Sequence, residues 1–445
     1  MLPGLSVAIG LKRYLQSLIP RPTSPPLLWL YVECAATGSL ENKMAKQFTD
    51  SNHHTYEGFA PATRALHIDR ALEPGSGVAP AIMQSVTYFS EDGADFAVKA
   101  TEPLNDLFYA RHGNPTASRA ALIVADMEGK EAGIMFASGM AAITTTLLSL
   151  LSKGDHVVAQ KSHYIGTTTL MNETFGRYGI HVTLVDQDDT EAFARAIQPS
   201  TKVFMLETPV NPTMKVTDLR GVSDIARKHG ITTVCDNTFA TPFNQRPGDF
   251  GVDIVVHSAT KYMGGHHDLL GGVAVGSKRH MDCVWDMGMT LGGVITPFNA
   301  WLVLRGLRTM KMRVDQSNKN GLAIAQFLEG HEKVSRVYYP GLESHEQHAL
   351  AREQMNGYGG LLTFDLKGGF EAGQRFIKAL KIPFYAASLG GIDSLVIQPA
   401  ALWLGRLSPD LVGKQGVDPG LIRFSAGIED TDDLLKDIGQ ALEFA

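Results

Sequence analysis

Lys261 closes the run Val255-Val256-His257-Ser258-Ala259-Thr260-Lys261. The residues before it, Val252 to Val256 with Asp253 the one exception, read as a buried strand. A lysine at the end of a buried strand is costly unless something uses or solvates it. Desolvation lowers its pKa and frees the amine as a nucleophile, which suits a Schiff base. Ser258 and Thr260 add two hydroxyls for an anion on the same rim. An aldehyde that carries a phosphate answers both features, and pyridoxal phosphate is such a molecule. Taken alone, the run also reads as a lysine snorkelling into water.

Pyridoxal phosphate needs more than an amine, and other residues supply what is missing. Asp236, at the end of a predicted strand, suits the pyridine nitrogen, where an acid keeps the ring an electron sink. Ser138-Gly139-Met140 opens an apolar helix whose first amides and dipole suit the phosphate. Tyr109 and Arg111, in the Gly- and Pro-containing loop Tyr109–Thr116, are placed to close over it. Tyr164 suits ring stacking and proton movement. Arg423, in the apolar run Leu421-Ile-Arg-Phe-Ser425, offers a forked donor to a substrate carboxylate, with Ser388 and Asn211 as helpers. Each has an ordinary structural reading as well: a capping or turn aspartate, an N-cap serine, a surface Arg–Tyr pair, a core tyrosine, an edge-strand arginine. The combination on one rim is what favours chemistry. His345-Glu-Gln-His348 lacks the spacing of a zinc helix and His266-His267-Asp268 is a loop pair, so no metal site is expected.

These residues need a scaffold that brings strand ends together. Strands are expected at Ala132 to Phe136, His156 to Ala159, His181 to Val185, Val203 to Glu207, Ile231 to Cys235, Val252 to Val256 and Gly272 to Val275. Helices alternate with them, which predicts an α/β fold with a mostly parallel seven-stranded sheet covered on both faces. Ligands of such sheets bind at the carboxyl ends of the strands. Beyond Pro297 come one long helix or a broken pair, then a smaller α+β C-terminal domain. The division expected is residues 1–43 as a disordered or dispensable extension, 44–107 as an arm that contacts a neighbouring subunit, 108–297 as the cofactor-binding domain and 298–445 as the C-terminal domain. A targeting segment is the other reading of the extension, with Lys12, Arg13 and Arg21 as its basic part. The 445 residues are 44% hydrophobic and 19% charged, with net charge −6. That balance gives no support for a nucleic-acid or membrane-surface partner. Three cysteines without ligand or pair spacing favour a reducing, cytoplasmic setting.

The motifs YARHGNPT from Tyr109, ASGMAAI from Ala137, ETPVNPT from Glu207, DNTFATP from Asp236, VVHSATKYMGGHHDLLGG from Val255, SLGG from Ser388 and LIRFSAGIED from Leu421 occur in that order. By them the chain resembles the Cys/Met-metabolism pyridoxal-phosphate enzymes, which include cystathionine γ-synthase, cystathionine γ-lyase, methionine γ-lyase and homoserine sulfhydrylases. The resemblance spans roughly residues 65–442. It implies fold-type I, an aspartate-aminotransferase-like fold, and a homotetramer built from two active dimers. It also implies Lys261 as the Schiff-base lysine, Asp236 as the partner of the ring nitrogen, and Gly139, Met140, Ser258 and Thr260 on the phosphate. Tyr109 and Arg111 would reach that phosphate from the neighbouring subunit, Tyr164 would stack on the ring and Arg423 would hold the carboxylate.

The implied activity is γ-elimination on a γ-substituted L-amino acid through a vinylglycine-type intermediate. The alternative is γ-replacement on O-acetyl- or O-succinylhomoserine, and a third reading is a catalytically silent relative. Departures lie near the substrate side. Gly166 stands where methionine γ-lyases carry cysteine, Ala387 where relatives that handle cystathionine carry an acid, and His267 where serine is frequent. Pro399-Ala-Ala-Leu-Trp403 replaces a common Thr-His pair. An intact cofactor set with an atypical substrate is the expectation.

Overall fold

The computed structural model describes residue 56 and residues 58–72, 77–403 and 418–445. The expectations for residues 1–43, and for the start of the arm, lie outside the described residues.

Seven strands form the larger sheet: β1 (Ala132–Phe136), β2 (His156–Gln160), β3 (His181–Val185), β4 (Thr201–Glu207), β5 (Thr232–Asp236), β6 (Ile254–His257) and β7 (Gly272–Gly276). Their order is β1-β7-β6-β5-β4-β2-β3. Strands β2 to β6 pair in parallel, and β7 runs antiparallel between β1 and β6. Successive strand residues serve opposite faces, and here both faces are apolar. In β4, Phe204 and Leu206 enter one core while Val203 and Met205 enter the other. Val255 of β6 likewise parts from Ile254 and Val256. Strand β6 starts after Asp253, two residues later than its hydrophobicity suggests. The Asp253 carboxylate accepts from the Thr233 amide and hydroxyl, both at 2.8 Å, and so caps the strand.

A second, smaller sheet has the order β10-β11-β12-β9-β8. It comprises β8 (Val334–Tyr338), β9 (Leu361–Leu366), β10 (Phe384–Tyr385), β11 (Leu395–Ile397) and β12 (Leu421–Ser425). Helices Gly369–Ala379 and Thr431–Leu442 complete its core, which holds Phe364, Phe376, Phe424 and Ile438. One unbroken helix, Pro297–Glu329, joins the two cores. Thr296 caps its start and Pro297 takes the first turn, where a missing N–H costs nothing. The helix runs close against the loop behind Lys261 because Gly306 has no side chain. A Cβ there would lie 2.1 Å from the Met263 carbonyl. Arg313, about two turns further along the same helix, donates to the Tyr262 carbonyl at 2.7 Å and locks that approach.

Residues 58–72 and 77–107 are less featureless than their composition suggests. Helix Pro61–His67 buries Ala65, and Arg64 pairs with Asp126 of helix Pro115–Met127. Helix Gly93–Thr101 is capped by Asp92 and buries none of its residues.

Candidate active site

The topology explains why distant sequence segments meet. Phe136 of β1 lies opposite Gly272, and His257 of β6 lies opposite Val273. The residues that follow β1 and β6 therefore emerge side by side across the start of β7. Ser138 caps helix Gly139–Leu150, its hydroxyl accepting from the Ala141 amide at 3.1 Å. Gly139 then packs against Ser258 so tightly that a Cβ would lie 2.8 Å from the Ser258 Cβ and 3.0 Å from its Oγ. No protein acceptor takes the Gly139 and Met140 amides among the described residues. Two bare amides at the positive end of a helix, with the Ser258 hydroxyl beside them, make an anion cradle. Thr260 is committed differently: its hydroxyl exchanges hydrogen bonds with the backbone of Gly271 at 3.1 and 3.2 Å.

Strands β4 and β5 end in register, Glu207 opposite Asp236. Both carboxylates are buried, 4% and 7% exposed. Asp236 Oδ1 accepts from the Thr238 amide at 3.0 Å and the Thr238 hydroxyl at 2.5 Å. Its Oδ2 takes no protein hydrogen bond among the described residues. Burial and the neighbouring Glu207 push the Asp236 carboxyl upward, and the Thr238 bonds offset part of that. A ring N–H⁺ is the partner that such an oxygen lacks.

Lys261 sits half-buried with Nζ donating to Ser388 Oγ at 2.9 Å. Burial, helped by Arg423 and opposed by Asp236, lowers its pKa from 10.5 to about 8. Arg423, 8% exposed, donates to the Ser388 carbonyl at 2.9 Å. Ser388 thus joins the amine and the guanidinium through its two oxygens, with a left-handed φ of 103° that a non-glycine residue adopts only under constraint. The Gly390 amide donating to Ser425 Oγ at 3.1 Å supplies part of that constraint. Burial also draws the Arg423 pKa down, to about 10. The turn carrying Asn211 is tied to the same place: Thr363, opposite Arg423 in the sheet, donates its hydroxyl to the Pro212 carbonyl at 2.8 Å.

Tyr164 precedes helix Ile165–Thr169 and is 47% exposed. A Cβ on Gly166 would lie 2.8 Å from both Met140 Sδ and Tyr164 Cε1, which places the tyrosine ring beside the cradle. A side chain at this position fits only if Met140 and the Tyr164 ring shift.

The structure thus brings together Ser138, Gly139, Met140, Tyr164, Asp236, Ser258, Thr260, Lys261, Ser388 and Arg423, with the Asn211 turn alongside. It does not bring Tyr109 and Arg111 to them within one chain. Both are exposed, the guanidinium stacks 5.6 Å from the Tyr109 ring, and it donates to the Met289 carbonyl at 2.8 Å. The sequence reading missed Thr238 and gave Glu207 no role. For Thr238 a signal existed, since Asp-x-Thr is a local hydrogen-bonding pattern. The acceptor left open on Asp236 and the amide donors left open at the Gly139 cradle, together with an amine of lowered pKa, fit pyridoxal phosphate.

Comparison with known proteins agrees. Residues 62–443 match the family described as Cys/Met metabolism PLP-dependent enzyme. L-methionine gamma-lyase of Pseudomonas putida is 41% identical over 86% of this chain and 97% of its own. Cystathionine gamma-lyase of Bacillus subtilis (strain 168) is 43% identical over 75% and 88%. The crystal structure of metB from Corynebacterium glutamicum superposes with a TM-score of 0.80 at 35% identity, covering 88% of this chain and 99% of that one. The chain therefore belongs to the Cys/Met metabolism PLP-dependent enzymes, a family of γ-lyases and γ-synthases that act through pyridoxal phosphate.

Proposed function

We propose that the protein catalyses γ-elimination on a γ-substituted L-amino acid, releasing a 2-oxo acid and ammonia. The observation that carries this reading is the meeting of Lys261 and Arg423 at Ser388. A carboxylate held by the Arg423 fork lies next to the one amine of the site. Bound pyridoxal phosphate supplies an electron sink for carbanions at the substrate's α- and β-carbons. Lys261, its pKa lowered to about 8, takes and returns protons there. Asp236 holds the ring nitrogen, the Gly139–Met140 amides and Ser258 hold the phosphate, and Tyr164 covers the ring. Ser388 and the Asn211 turn frame the substrate.

The second reading is γ-replacement on O-acetyl- or O-succinylhomoserine. It uses the same residues up to departure of the γ-group, and γ-synthases are among the chain's relatives. Gly166, without the cysteine of methionine γ-lyases, and Ala387 argue for a substrate other than ordinary methionine or cystathionine. Tyr109 and Arg111 are assigned to the site of a neighbouring subunit, in a homotetramer of two active dimers. Their exposure supports this, as do the bare apolar side chains Val78, Phe89 and Leu107 of the same region. A cytoplasmic setting follows from the cysteine usage. No helix among the described residues is long and apolar enough to cross a membrane.

The test is a panel of methionine, cystathionine, the two homoserine esters and a γ-halo amino acid, each with and without a thiol. Oxo acid released without thiol establishes elimination. A thiol-dependent product with little oxo acid establishes replacement and rejects the first reading.

A further inference from the structure

Glu207 is a buried carboxylate on the rim of the site for which the proposed chemistry has no use. Its Oε2 accepts from the Tyr164 backbone amide at 2.7 Å. Tyr164 stands immediately before helix Ile165–Thr169, where an amide has no partner within the helix. No hydrogen bond of the Tyr164 hydroxyl ties the ring down among the described residues, so the ring's placement depends on where its backbone is held.

Glu207 is itself held firmly. Its amide donates to Gln160 Oε1 at 2.5 Å, and Gln160 Nε2 donates back to its carbonyl at 3.1 Å. Thr217 Oγ1 takes the other Gln160 proton at 3.0 Å. His163 completes the set. Its Nε2 accepts from the Gln160 amide at 3.1 Å, so the ring proton lies on Nδ1, 3.7 Å from Glu207 Oε2. The carboxylate thus takes the Tyr164 amide at a fixed point, one strand away from Asp236.

We propose that Glu207 is a positioning residue: from the end of β4 it fixes the start of the Tyr164 helix, and through it the seat of the Tyr164 ring against the cofactor. This rests on the reading of Tyr164 as the ring's cover. The carboxylate needs no proton transfer to do this; it serves as a rigid acceptor.

Two substitutions separate acceptor from charge. Glu207→Gln keeps a carbonyl oxygen within reach of the Tyr164 amide and removes the charge. Glu207→Asp keeps the charge and withdraws the acceptor by one methylene. Each apo-protein, checked for fold by far-ultraviolet circular dichroism, is titrated with pyridoxal phosphate. The readouts are the dissociation constant and the visible circular dichroism per bound cofactor at saturation. Loss of the hydrogen bond to the Tyr164 amide corresponds to about a tenfold weaker affinity for the Asp variant, whereas the Gln variant, which keeps an acceptor there, stays within about threefold. The visible dichroism of the Asp variant falls by about half or more, because an aromatic ring no longer stacks in a fixed geometry. If the Asp variant does not fold, Glu207→Ala gives the same comparison. An Asp or Ala variant that matches the unsubstituted protein in both readouts overturns the proposal, and so does a Gln variant that loses as much as they do. Tyr164→Ala is the separate control: if it leaves both readouts unchanged, the reading of Tyr164 itself fails.

Discussion

Lys261 offers the sharpest quantitative test, because its burial fixes how much free amine exists at a given pH. A lysine in water titrates at 10.5, and this one at about 8. At pH 7 about one Lys261 amine in ten is unprotonated, roughly 300-fold more than for an ordinary lysine. Rapid mixing of apo-protein with pyridoxal phosphate, followed at the visible band, reads this directly. Capture should speed up about fivefold from pH 7 to 8 and level off above pH 9. Stability carries the same signature with a definite sign. Between about 8 and 10.5 the unfolded chain keeps the lysine proton and the folded chain has released it. Raising the pH therefore favours the folded apo-protein, by up to about 3 kcal/mol across that window. Lys261→Met lacks the contribution, so the difference between the two proteins in denaturant melts isolates it from the buried tyrosines that titrate higher. A capture rate still climbing tenfold per pH unit at pH 10, or equal pH slopes for the two proteins, would refute the reasoning.

Three further substitutions test the geometry. Gly139→Ala drives a methyl into Ser258, a neighbour that cannot swing away because its Cα lies 3.0 Å from the new atom. It should cost about 1–3 kcal/mol in a melt and weaken cofactor binding, and an alanine variant that binds normally would show the cradle to be elsewhere. Gly166→Ala meets only the ends of the flexible Met140 and Tyr164 side chains, so stability should barely change while the visible dichroism of the bound cofactor shifts. Arg423→Lys keeps the charge and loses the fork; the substrate KM should rise about ten- to a hundredfold, with kcat changing less, as measured by oxo-acid release.

How much of this was legible in the sequence depended on the range of the interaction. The strand–helix alternation located all seven strands of the main sheet, because each has a short apolar run and a boundary. It located Lys261, Asp236, Ser138 and Tyr164 at strand ends for the same reason. Helix Lys278–Leu291 escaped notice: it buries only Met281, Val284 and Gly288, too few for a clear apolar stripe. Helix Gly93–Thr101 buries nothing, and only its Asp92 cap marks it. The links that join site residues were beyond reach on other grounds. Lys261 and Ser388 are 127 residues apart, and Glu207 and Tyr164 are 43 apart. Both contacts depend on strand order and register, which local patterns do not encode.

That division also says where specificity resides. The cofactor groups come from successive strands of one sheet, so the fold that buries Val255 and Phe204 places Asp236 and Lys261 as a consequence. Substrate recognition comes from elsewhere: Arg423 and Ser388 belong to the smaller sheet and its loops, and the Asn211 turn reaches them through Thr363. Gly166, His267 and Ala387, which the sequence reading singled out as departures from the family pattern, stand on or against those loops or beside Tyr164. The His267 ring occupies the space beside Gly391, three residues after Ser388, where a Cβ would lie 2.0 Å from its Nε2. A change in leaving group therefore requires no change in the sheet. It requires only that the loops around Ser388 and the ring of Tyr164 be reset, and the side chains at Gly166 and Gly391 are the ones whose absence sets them.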